Sequence, residues 1–304
     1  MITALLSSKE VSSEVLNSVI SKKLDSVNNL QIALDKEGGI VVYPLDYPSS
    51  INAMIRAISM ADRVLMVINE EITAVDAEIA LAIENSRIDI GTTLRTEYSD
   101  EGSFSKFFEK YKVGKFKVLR PSEQQSDDSG KAKNPSFSYI SIDKHFIVKG
   151  IGSVIIGFNL GGSIKKGDRL RLLPSMKEVS IKSIQIMDID SPSAENGQHV
   201  GLALNNINEG DLSSNYAVSS LGELAENRSC KVIISSLYKG DLTQEKDLGC
   251  AMLGRNFSIS ITGSGMSTTI TFNRPVAKIG GRHLIMDASL SVGKNRVVGS
   301  FEFS

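Results

Sequence analysis

The chain of 304 residues has little of what marks several classes of protein, with two cysteines, three histidines and no tryptophan. Cys230 and Cys250 are too few for a disulfide framework and too isolated for a zinc site, which favours a reducing compartment. The apolar runs are short, reaching about five residues in Val64–Ile68, far below the length of a membrane span. The first residues carry no basic segment of the kind that opens a signal peptide. We therefore expect a soluble, cytoplasmic protein without a membrane partner.

An excess of charge of one sign is also missing. Lys and Arg number 34 and Asp and Glu number 35, so the formal net charge is −1. A protein that binds DNA through bulk charge is normally clearly basic, and a DNA partner is not expected here. By segment the formal charge is −4 for residues 1–140, 0 for 141–220 and +3 for 221–304. Any nucleic-acid contact must therefore be local, and the last segment is the favoured place for it.

Strand and helix patterns alternate over residues 1–120, which predicts a largely parallel sheet with helices on both faces. Strands are predicted near 2–6, 31–34, 40–45, 63–68, 88–94 and 115–119, and helices near 9–23, 50–60, 72–85 and 103–111. Residues 121–136 are polar throughout and predict a linker. Short β-rich runs between turn residues fill 137–220 and 226–304, and they predict two small β-barrels or sandwiches. The expected fold class is therefore multidomain, α/β plus all-β.

The most informative segment runs from Asp143 to Asp168. Gly150 and Gly152 inside a strand pattern predict a bulge or a close approach of two backbones, and Gly167 before Asp168 suits a tight turn. A generic pair of hairpins explains any two of the glycines in this segment. It does not explain all of them together with the apolar alternation between them.

This segment resembles the second domain of translational GTPases of the elongation factor Tu family, most closely the selenocysteine-specific elongation factor. The shared pattern is D-x-x-F-x-I-x-G-x-G-x-V-x-x-G followed by G-x-I-x-x-G-D, and the similarity covers about 137–220. Residues 274–299 are more loosely similar to the end of the family's third domain, also a β-barrel, and residues 46–68 resemble part of its GTPase domain. The resemblance implies a Rossmann-like, P-loop-type GTPase scaffold over 1–120, followed by two small β-barrels.

The residues that carry GTPase chemistry in that family are missing. A P-loop needs glycines, Lys and Ser/Thr to hold the phosphates and Mg²⁺, but residues 7–13 have no glycine and none occurs before Gly38. Asp46 and Pro48 match the second phosphate-sensing element, but Ser49 and Ser50 replace its glycine and histidine. Fewer than about ten residues remain for the first switch loop. Residues 92–97, after the strand predicted at 87–91, lack the guanine-reading N-K-x-D.

Loss of all four elements predicts that GTP hydrolysis at a normal rate is gone, and no cofactor is expected. GTP and Mg²⁺ would be bound only if a degenerate nucleotide site survives at Lys9 and Asp46. Lys9 also fits a solvated lysine at a helix start, with Ser7 or Ser8 as the N-cap. The histidines at 145, 199 and 283 and the two cysteines show no metal-binding spacing. Asp100, Glu101, Asp127 and Asp128 fit solvated loop carboxylates.

The resemblance implies a pocket for the aminoacylated 3′ end of tRNA between the first and second domains. The selenocysteine-specific factor uses an Asp-His pair and an Arg there. In this chain Asp143 matches the Asp, Lys144 replaces the His and His199 replaces the Arg. These three residues are the candidate pocket, although Asp143 and His199 could equally brace strands and turns. In the last domain the candidate RNA contacts are Arg274, Lys278, Arg282 and Arg296, with ordinary surface charge as the alternative.

Three hypotheses follow. The first is a translation elongation factor-like protein whose GTPase domain is a silent scaffold and which binds tRNA, the ribosome or another translation component. The second is a noncanonical GTPase of the same family with an altered nucleotide site. The third is a purely protein-interacting regulator of translation.

Overall fold

The computed structural model describes residues 1–96, 99–121, 123, 135–238, 240, 242, 247–263 and 268–304. The described residues form one mixed sheet with helices and two closed β-barrels, which confirms the predicted fold class. Most of the segment predicted as a linker, including Asp127 and Asp128, lies outside the described residues, so the predicted domain limits stay predictions.

The first unit is a seven-stranded sheet, called here the α/β unit. Its strand order is β2-β3-β4-β1-β5-β6-β7, with parallel pairing from β4 through β7 and antiparallel pairing of β2 with β3 and of β3 with β4. The strands are β1 Ile2–Leu6, β2 Ile20–Val27, β3 Leu30–Asp35, β4 Ile40–Pro44, β5 Arg63–Ile68, β6 Gly91–Arg95 and β7 Lys117–Leu119. The helices are α1 Ser13–Val19, α2 Asn52–Met60, α3 Ala74–Asn85 and α4 Glu101–Phe108, with a 3₁₀ turn at Lys112–Lys115.

The helix predicted over 9–23 is wrong at both ends. It begins only after Ser12, whose side chain accepts a hydrogen bond from the Val15 N–H, and it ends at Val19. The residues from Ile20 onward form strand β2, which pairs antiparallel with β3. The apolar spacing predicted a longer helix, but the residues from Ile20 onward form backbone hydrogen bonds with β3 instead. Pairing with a neighbouring strand can outweigh the local preference for helix, because a short isolated helix is only marginally stable.

The second unit is a closed barrel, called here the first barrel. Its strands follow the order β11-β16-β8-β9-β15-β12, β12 pairs back to β11 to close the ring, and β13 extends β12 at the outside. The main strands are β8 Tyr139–Val148, β9 Gly152–Asn159, β11 Arg169–Leu173, β12 Glu178–Ile186, β13 Ile189–Ser191, β15 His199–Asn205 and β16 Ala217–Ser219. Strands β10 Ile164–Lys165 and β14 Ser193–Ala194 form a separate pair, and α5 is Glu209–Ser213.

The close backbone approach expected in this barrel lies at a different glycine. Gly150 and Gly152 have φ values of +81° and +105° and nothing within 4 Å of an added Cβ, so they serve the turn between β8 and β9. At Gly157 an added Cβ would lie 1.9 Å from the Ser141 carbonyl oxygen on β8. Gly167, at φ +91°, occupies a turn beside Asp168 as predicted.

The third unit is a closed six-stranded ring in the order β17-β20-β19-β18-β21-β22, called here the second barrel. Its strands are β17 Leu224–Ile234, β18 Leu248–Met252, β19 Arg255–Thr262, β20 Thr269–Ala277, β21 His283–Asp287 and β22 Val297–Phe303. One hydrophobic cluster runs continuously from α2 and α3 into this barrel. Helix α2 is buried over nearly its whole circumference, which fits a helix enclosed between the α/β sheet and the barrel.

Candidate functional site

The loop between β1 and α1 occupies the position where a P-loop would stand. Ser7 and Ser8 are buried, and the Asn69 side-chain amide donates to the Ser8 hydroxyl at 3.0 Å and to the Ser7 hydroxyl at 3.3 Å. The predicted N-cap at Ser7 or Ser8 is wrong, because Ser12 caps α1. The two serines therefore hold this loop against the end of β5.

Lys9 and Asp46, the candidate degenerate nucleotide site, are not joined by a hydrogen bond or ion pair between them. Lys9 is exposed. One oxygen of Asp46 accepts a hydrogen bond from the Asn29 side chain at 2.7 Å. Its other oxygen, Oδ1, is buried without a hydrogen-bond partner among the described residues. Asp46 is thus tied to the β2–β3 turn, with one free acceptor.

Two further nucleotide elements of the resembled family are the first switch loop, which would follow α1, and the guanine-reading N-K-x-D, which would follow a strand near residue 90. Helix α1 ends at Val19 and β2 begins at Ile20, so no loop separates them. Strand β6 spans Gly91–Arg95, which corrects the strand predicted at 88–94 and moves the guanine-reading position to Thr96 and beyond. Residues 97 and 98 lie outside the described residues, and the sequence from Thr96 to Asp100 contains no Asn-Lys.

A cleft of about 530 Å³ lies between β2 of the α/β unit and the outer face of the first barrel. Its floor comes from β8, β9, β12 and β15, and the opposite wall is formed by residues of β2. Apolar and polar residues both line it. The apolar ones are Leu24, Phe146, Val148, Ile151, Val154, Ile156, Met187, Val200 and Ala203, and the others are Lys22, Asp25, Ser183, Gln185, Asp188, His199 and Gly201. A volume of this size is typical of sites that enclose a small molecule or the end of a larger ligand.

Asp143, the first residue of the candidate pocket, is fully buried beside this cleft. Its Oδ1 accepts a hydrogen bond from Arg56 Nη2 at 2.9 Å in an ion pair between α2 and β8. Its Oδ2 lies 3.4 Å from His199 Nε2, and neither of these two atoms has a hydrogen-bond partner among the described residues. The His199 ring packs on Phe158 at 4.7 Å and lines the cleft.

Arg56 was not predicted from the sequence, and it contacts all three units. Besides Asp143 it donates through Nε to the Gly254 carbonyl at 2.7 Å and through Nη1 to the Val27 carbonyl at 3.3 Å. Burial lowers the pKa of the Arg56 guanidinium, and Asp143 opposes that shift. The signal available in the sequence was a lone arginine in an otherwise apolar helix, which predicts a buried partner.

Lys144, the second candidate, donates a hydrogen bond from Nζ to the Asp25 carboxylate on β2. Partial burial opposes ionisation of Asp25, but the hydrogen bonds from Lys144 and from the Ser26 N–H outweigh it and lower the pKa of Asp25. The structure therefore gathers Asp143, Lys144 and His199 around one end of the cleft. It also gives two of them partners in the α/β unit.

Arg296 does not lie on the surface, which corrects its prediction as an RNA contact. It is 2% exposed and forms a buried ion pair with Glu78 of α3, with Nη2 at 2.6 Å from Oε2 and Nε at 3.0 Å from Oε1. Its Nη1 donates to the Pro48 carbonyl at 2.9 Å. Burial opposes a charged Arg296, but the bond to Glu78 prevails and raises its pKa. Arg296 therefore joins the second barrel to the α/β unit.

The other three candidate RNA contacts remain exposed on the second barrel. Arg274 lies 5.9 Å from the centre of the Tyr216 ring, Lys278 donates to the Ser304 carbonyl, and Arg282 pairs with Glu302 at 3.2 Å. Lys239, which adds to the basic character of this segment, lies outside the described residues. Arg274 lies where the two barrels meet, while Lys278 directly follows β20 and Arg282 directly precedes β21.

The histidines are dispersed. His145 is exposed, whereas His283 is buried, contacts the Ile279 carbonyl oxygen at 2.9 Å, and has a pKa lowered by burial to about 4. Within the described ranges, no group of three or more His, Cys, Asp or Glu side chains could hold a metal ion.

The described part of the chain also contains no helix long and apolar enough to cross a membrane.

A mixed α/β sheet followed by two six-stranded barrels is also the fold of solved translation elongation factors. The solved structures agree: a bacterial selenocysteine-specific elongation factor matches over the whole chain with a TM-score of 0.80 at 14% identity, covering 58% of that structure. Elongation factor SelB from Methanococcus maripaludis in its apo form matches with a TM-score of 0.78 at 15% identity, covering 79% of that structure.

Sequence comparison finds relatives over parts of the chain. The chain is 31% identical over 199 residues to an uncharacterized protein of Methanocaldococcus jannaschii, which covers 64% of each chain. It is 34% identical over 110 residues to the selenocysteine-specific elongation factor of that organism, covering 35% of this chain and 24% of the relative. The chain thus spans less than two thirds of the length of these relatives. No protein-family model matches it.

In sequence over part of its length, and in fold over the whole of it, the chain is similar to translational GTPases such as elongation factor 1-alpha and the selenocysteine-specific elongation factor. This confirms the resemblance drawn from the segment between Asp143 and Asp168.

Proposed function

We propose that this chain is a translation elongation factor-like binding protein whose GTPase-like unit is a scaffold, and that it binds tRNA, the ribosome or another translation component. The observation that carries the proposal is the contrast between two sites. The cleft between β2 and the first barrel is open and about 530 Å³ in volume, whereas the loop at the P-loop position contains two serines bonded to Asn69 and no glycine. The first site has room for a ligand, and the second lacks the residues that hold a triphosphate.

The scaffold role is supported by the elements around the nucleotide position. A triphosphate needs backbone N–H groups that wrap it, and glycine is what allows the backbone to approach so closely. The loop has Glu10 and Val11 where that wrapping would occur, and α1 runs into β2 without a switch loop. A bound GTP would therefore lack both its phosphate cradle and the threonine that holds Mg²⁺.

Isothermal titration with GTP and with GDP, each with and without Mg²⁺, tests the scaffold role. The expected result is no heat of binding under any of the four conditions. Micromolar or tighter binding of either nucleotide would contradict it.

The binding role is supported by the family to which the relatives belong and by the position of the cleft. Fluorescence anisotropy with labelled tRNA tests it, using the wild-type chain and Ile156→Glu, which places a carboxylate on the cleft floor. We expect wild-type binding and a loss of affinity in Ile156→Glu, because an unpaired carboxylate in an apolar cleft repels an RNA end. Ile147→Glu is the matched control, since Ile147 is 51% exposed and outside the cleft lining.

An altered nucleotide site is the second candidate, and the buried, unpartnered Oδ1 of Asp46 is the observation that favours it. A double variant, Lys9→Ala with Asp46→Ala, decides this point. If any nucleotide binding found in the wild-type chain survives unchanged in the double variant, Lys9 and Asp46 do not form the site.

A further inference from the structure

We propose that the turn between β18 and β19 fixes the width of the cleft through Arg56, so that the second barrel controls binding in a cleft whose described lining comes entirely from the other two units. The turn consists of Leu253 and Gly254. The inference rests on the proposed function only in its effect on a ligand, because the separation of the cleft walls can be measured without one.

The turn is wedged between the other two units. An added Cβ on Gly254 would lie 3.3 Å from Ser141 Oγ and 3.5 Å from Leu160 Cδ1 in the first barrel. It would also lie 3.6 Å from Cε of Met60, the last residue of α2. The Gly254 N–H donates a hydrogen bond to Ser59 Oγ at 2.9 Å. A single glycine of the second barrel therefore lies against both other units.

The backbone of this turn has a conformation that leucine rarely adopts. Leu253 has φ +41° and Gly254 has φ +75°, and two successive positive φ values fit a two-residue turn in a twisted hairpin. Glycine accepts such a value without strain, whereas a bulky residue does not. Leu253 is 2% exposed and belongs to the hydrophobic cluster that runs from α2 and α3 into this barrel. Burial between units thus stabilises a turn that the isolated hairpin would not favour.

Arg56 connects the turn to the cleft. Its Nε donates to the Gly254 carbonyl at 2.7 Å, its Nη1 to the Val27 carbonyl at 3.3 Å and its Nη2 to Asp143 Oδ1 at 2.9 Å. Val27 ends β2, which supplies one wall of the cleft, and Asp143 lies on β8, which supplies part of the floor. Because a guanidinium is planar and its donors point in fixed directions, a shift of the Gly254 carbonyl moves Arg56 relative to wall and floor together.

Another charged contact across the cleft is a weaker restraint. Lys144 on β8 donates to Asp25 on β2, but their side chains are 43% and 33% exposed. An ion pair in contact with water contributes little to holding two units in place. The side chains of Arg56 and Asp143 are 5% and 0% exposed, so separating them is far more costly.

Spin labels on the two sides of the cleft test the proposal in the full chain. The labels are attached through Lys23→Cys on β2 and Lys149→Cys in the β8–β9 turn, which are both exposed positions, whereas the native Cys230 and Cys250 are buried. Pulsed electron paramagnetic resonance then gives the distribution of distances between the labels. We expect one narrow population when the β18–β19 turn is native.

Gly254→Val should add a second, longer distance, because its side chain is crowded by the first barrel and strained by the positive φ. Gly281→Val is the matched control, since Gly281 also has a positive φ, +95°, but nothing lies within 4 Å of an added Cβ. Arg56→Lys keeps a positive charge opposite Asp143 but replaces three bonded nitrogens by one amine, and it should also add the longer distance.

Ser59→Ala removes only the hydroxyl that binds the Gly254 N–H, and it takes the place of Gly254→Val if circular dichroism shows that variant to be unfolded. It should add a smaller amount of the same longer distance. An unchanged single distance in the folded turn variant and in Arg56→Lys, or an equal change in Gly281→Val, would overturn the proposal.

Binding of labelled tRNA separates this inference from the proposed function. We expect the affinity of Gly254→Val to fall by the factor by which its native-distance population falls, because only that population presents the native cleft. If the wild-type chain does not bind tRNA, the proposed function fails while the distances still decide the role of the turn. If the distances change and the tRNA affinity does not, the second barrel does not control binding and the proposal is overturned.

Discussion

Arg56 is the residue through which the three units meet, with contacts to Asp143 on the first barrel, Gly254 on the second and Val27 at the end of β2. The side chain of Arg56 is 5% exposed and that of Asp143 is fully buried. Two charges in such a place are stable only as a pair. Removing one member of the pair should therefore lower the free energy of unfolding.

Arg56→Met should lower the free energy of unfolding by about 3–5 kcal/mol, because it leaves the Asp143 carboxylate buried without its cation. Urea unfolding followed by circular dichroism measures this. Arg282→Met is the matched control, and removing its half-exposed pair with Glu302 should cost less than about 1 kcal/mol. Equal losses in the two variants would show that Asp143 does not depend on Arg56.

His283 predicts a pH dependence of stability. Its folded pKa of about 4 lies below the ordinary 6.5 because burial disfavours the charged ring. The unfolded chain therefore binds the proton more readily, and the stability that neutral His283 supplies is present above pH 6.5 and lost as the pH falls towards 4.

The expected loss between pH 6.5 and 4 is of order 3 kcal/mol, and His283→Phe should remove most of it. Urea unfolding at a series of pH values in the wild-type chain, His283→Phe and the exposed-site control His145→Gln tests this. If the pH dependence of His283→Phe matched that of the wild-type chain, another group would be responsible.

At the scale of elements, the hairpin of β2 and β3 is the feature that separates this α/β unit from the sequence-based expectation. Helix α1 has seven residues and passes directly into β2, which supplies the inner wall of the cleft. The start of α1 is fixed by the side chain of Ser12, which bonds the Val15 N–H at 3.3 Å.

Ser12→Ala should cost about 1 kcal/mol of stability through the loss of this cap. Ser13→Ala, at the exposed first residue of the helix, is the matched control and should have little effect. Thermal unfolding of both variants measures the difference. An equal shift in the two would contradict the placement of the helix start at Ser12.

The elements that could be predicted are those whose apolar pattern matches their final burial. Strand β5 and helix α2 were predicted within two residues of their observed bounds, because β5 is buried at almost every position and α2 lies between apolar surfaces. Strand β2 was missed, since its exposed residues from Ser21 to Lys23 carry no strand period, and its pairing with β3 is a tertiary effect. Strand β6 was predicted early because Ile88 is buried in the loop before it.

The site was predictable only in part, for a related reason. Asp143 and His199 stood in a recognisable pattern, and the structure brings them to within 3.4 Å of each other. Arg56 and the β2 wall could not be found this way, because both come from a unit distant in sequence. Arg296 was assigned to the surface because a charge count cannot distinguish an exposed arginine from one buried against Glu78.

At the scale of the whole molecule, Glu78 and Arg296 hold the second barrel against the α/β unit. The pair is 3% exposed on each side, and Tyr47 adds a hydrogen bond from its hydroxyl to Glu78 Oε2 at 3.0 Å. Together with the continuous apolar cluster, this ion pair gives the two units a shared buried interface.

Arg296→Met should therefore increase amide hydrogen exchange in α3 and β22 while leaving β9 and β15 of the first barrel unchanged, because the opening would be confined to the interface. Exchange followed by mass spectrometry measures this in the full chain. Arg282→Met again serves as the control. Uniform acceleration over all three units would show that the ion pair stabilises the whole fold and not this interface.

We propose that this chain binds its translation partner without a nucleotide. The most direct measurement is the affinity of the wild-type chain for labelled aminoacyl-tRNA with GTP and Mg²⁺, with GDP and Mg²⁺, and with EDTA and no nucleotide. We expect the same dissociation constant in all three conditions, because the nucleotide elements are missing from residues 7–13 and 46–50. Binding that requires GTP and Mg²⁺, or no binding in any condition, would contradict it.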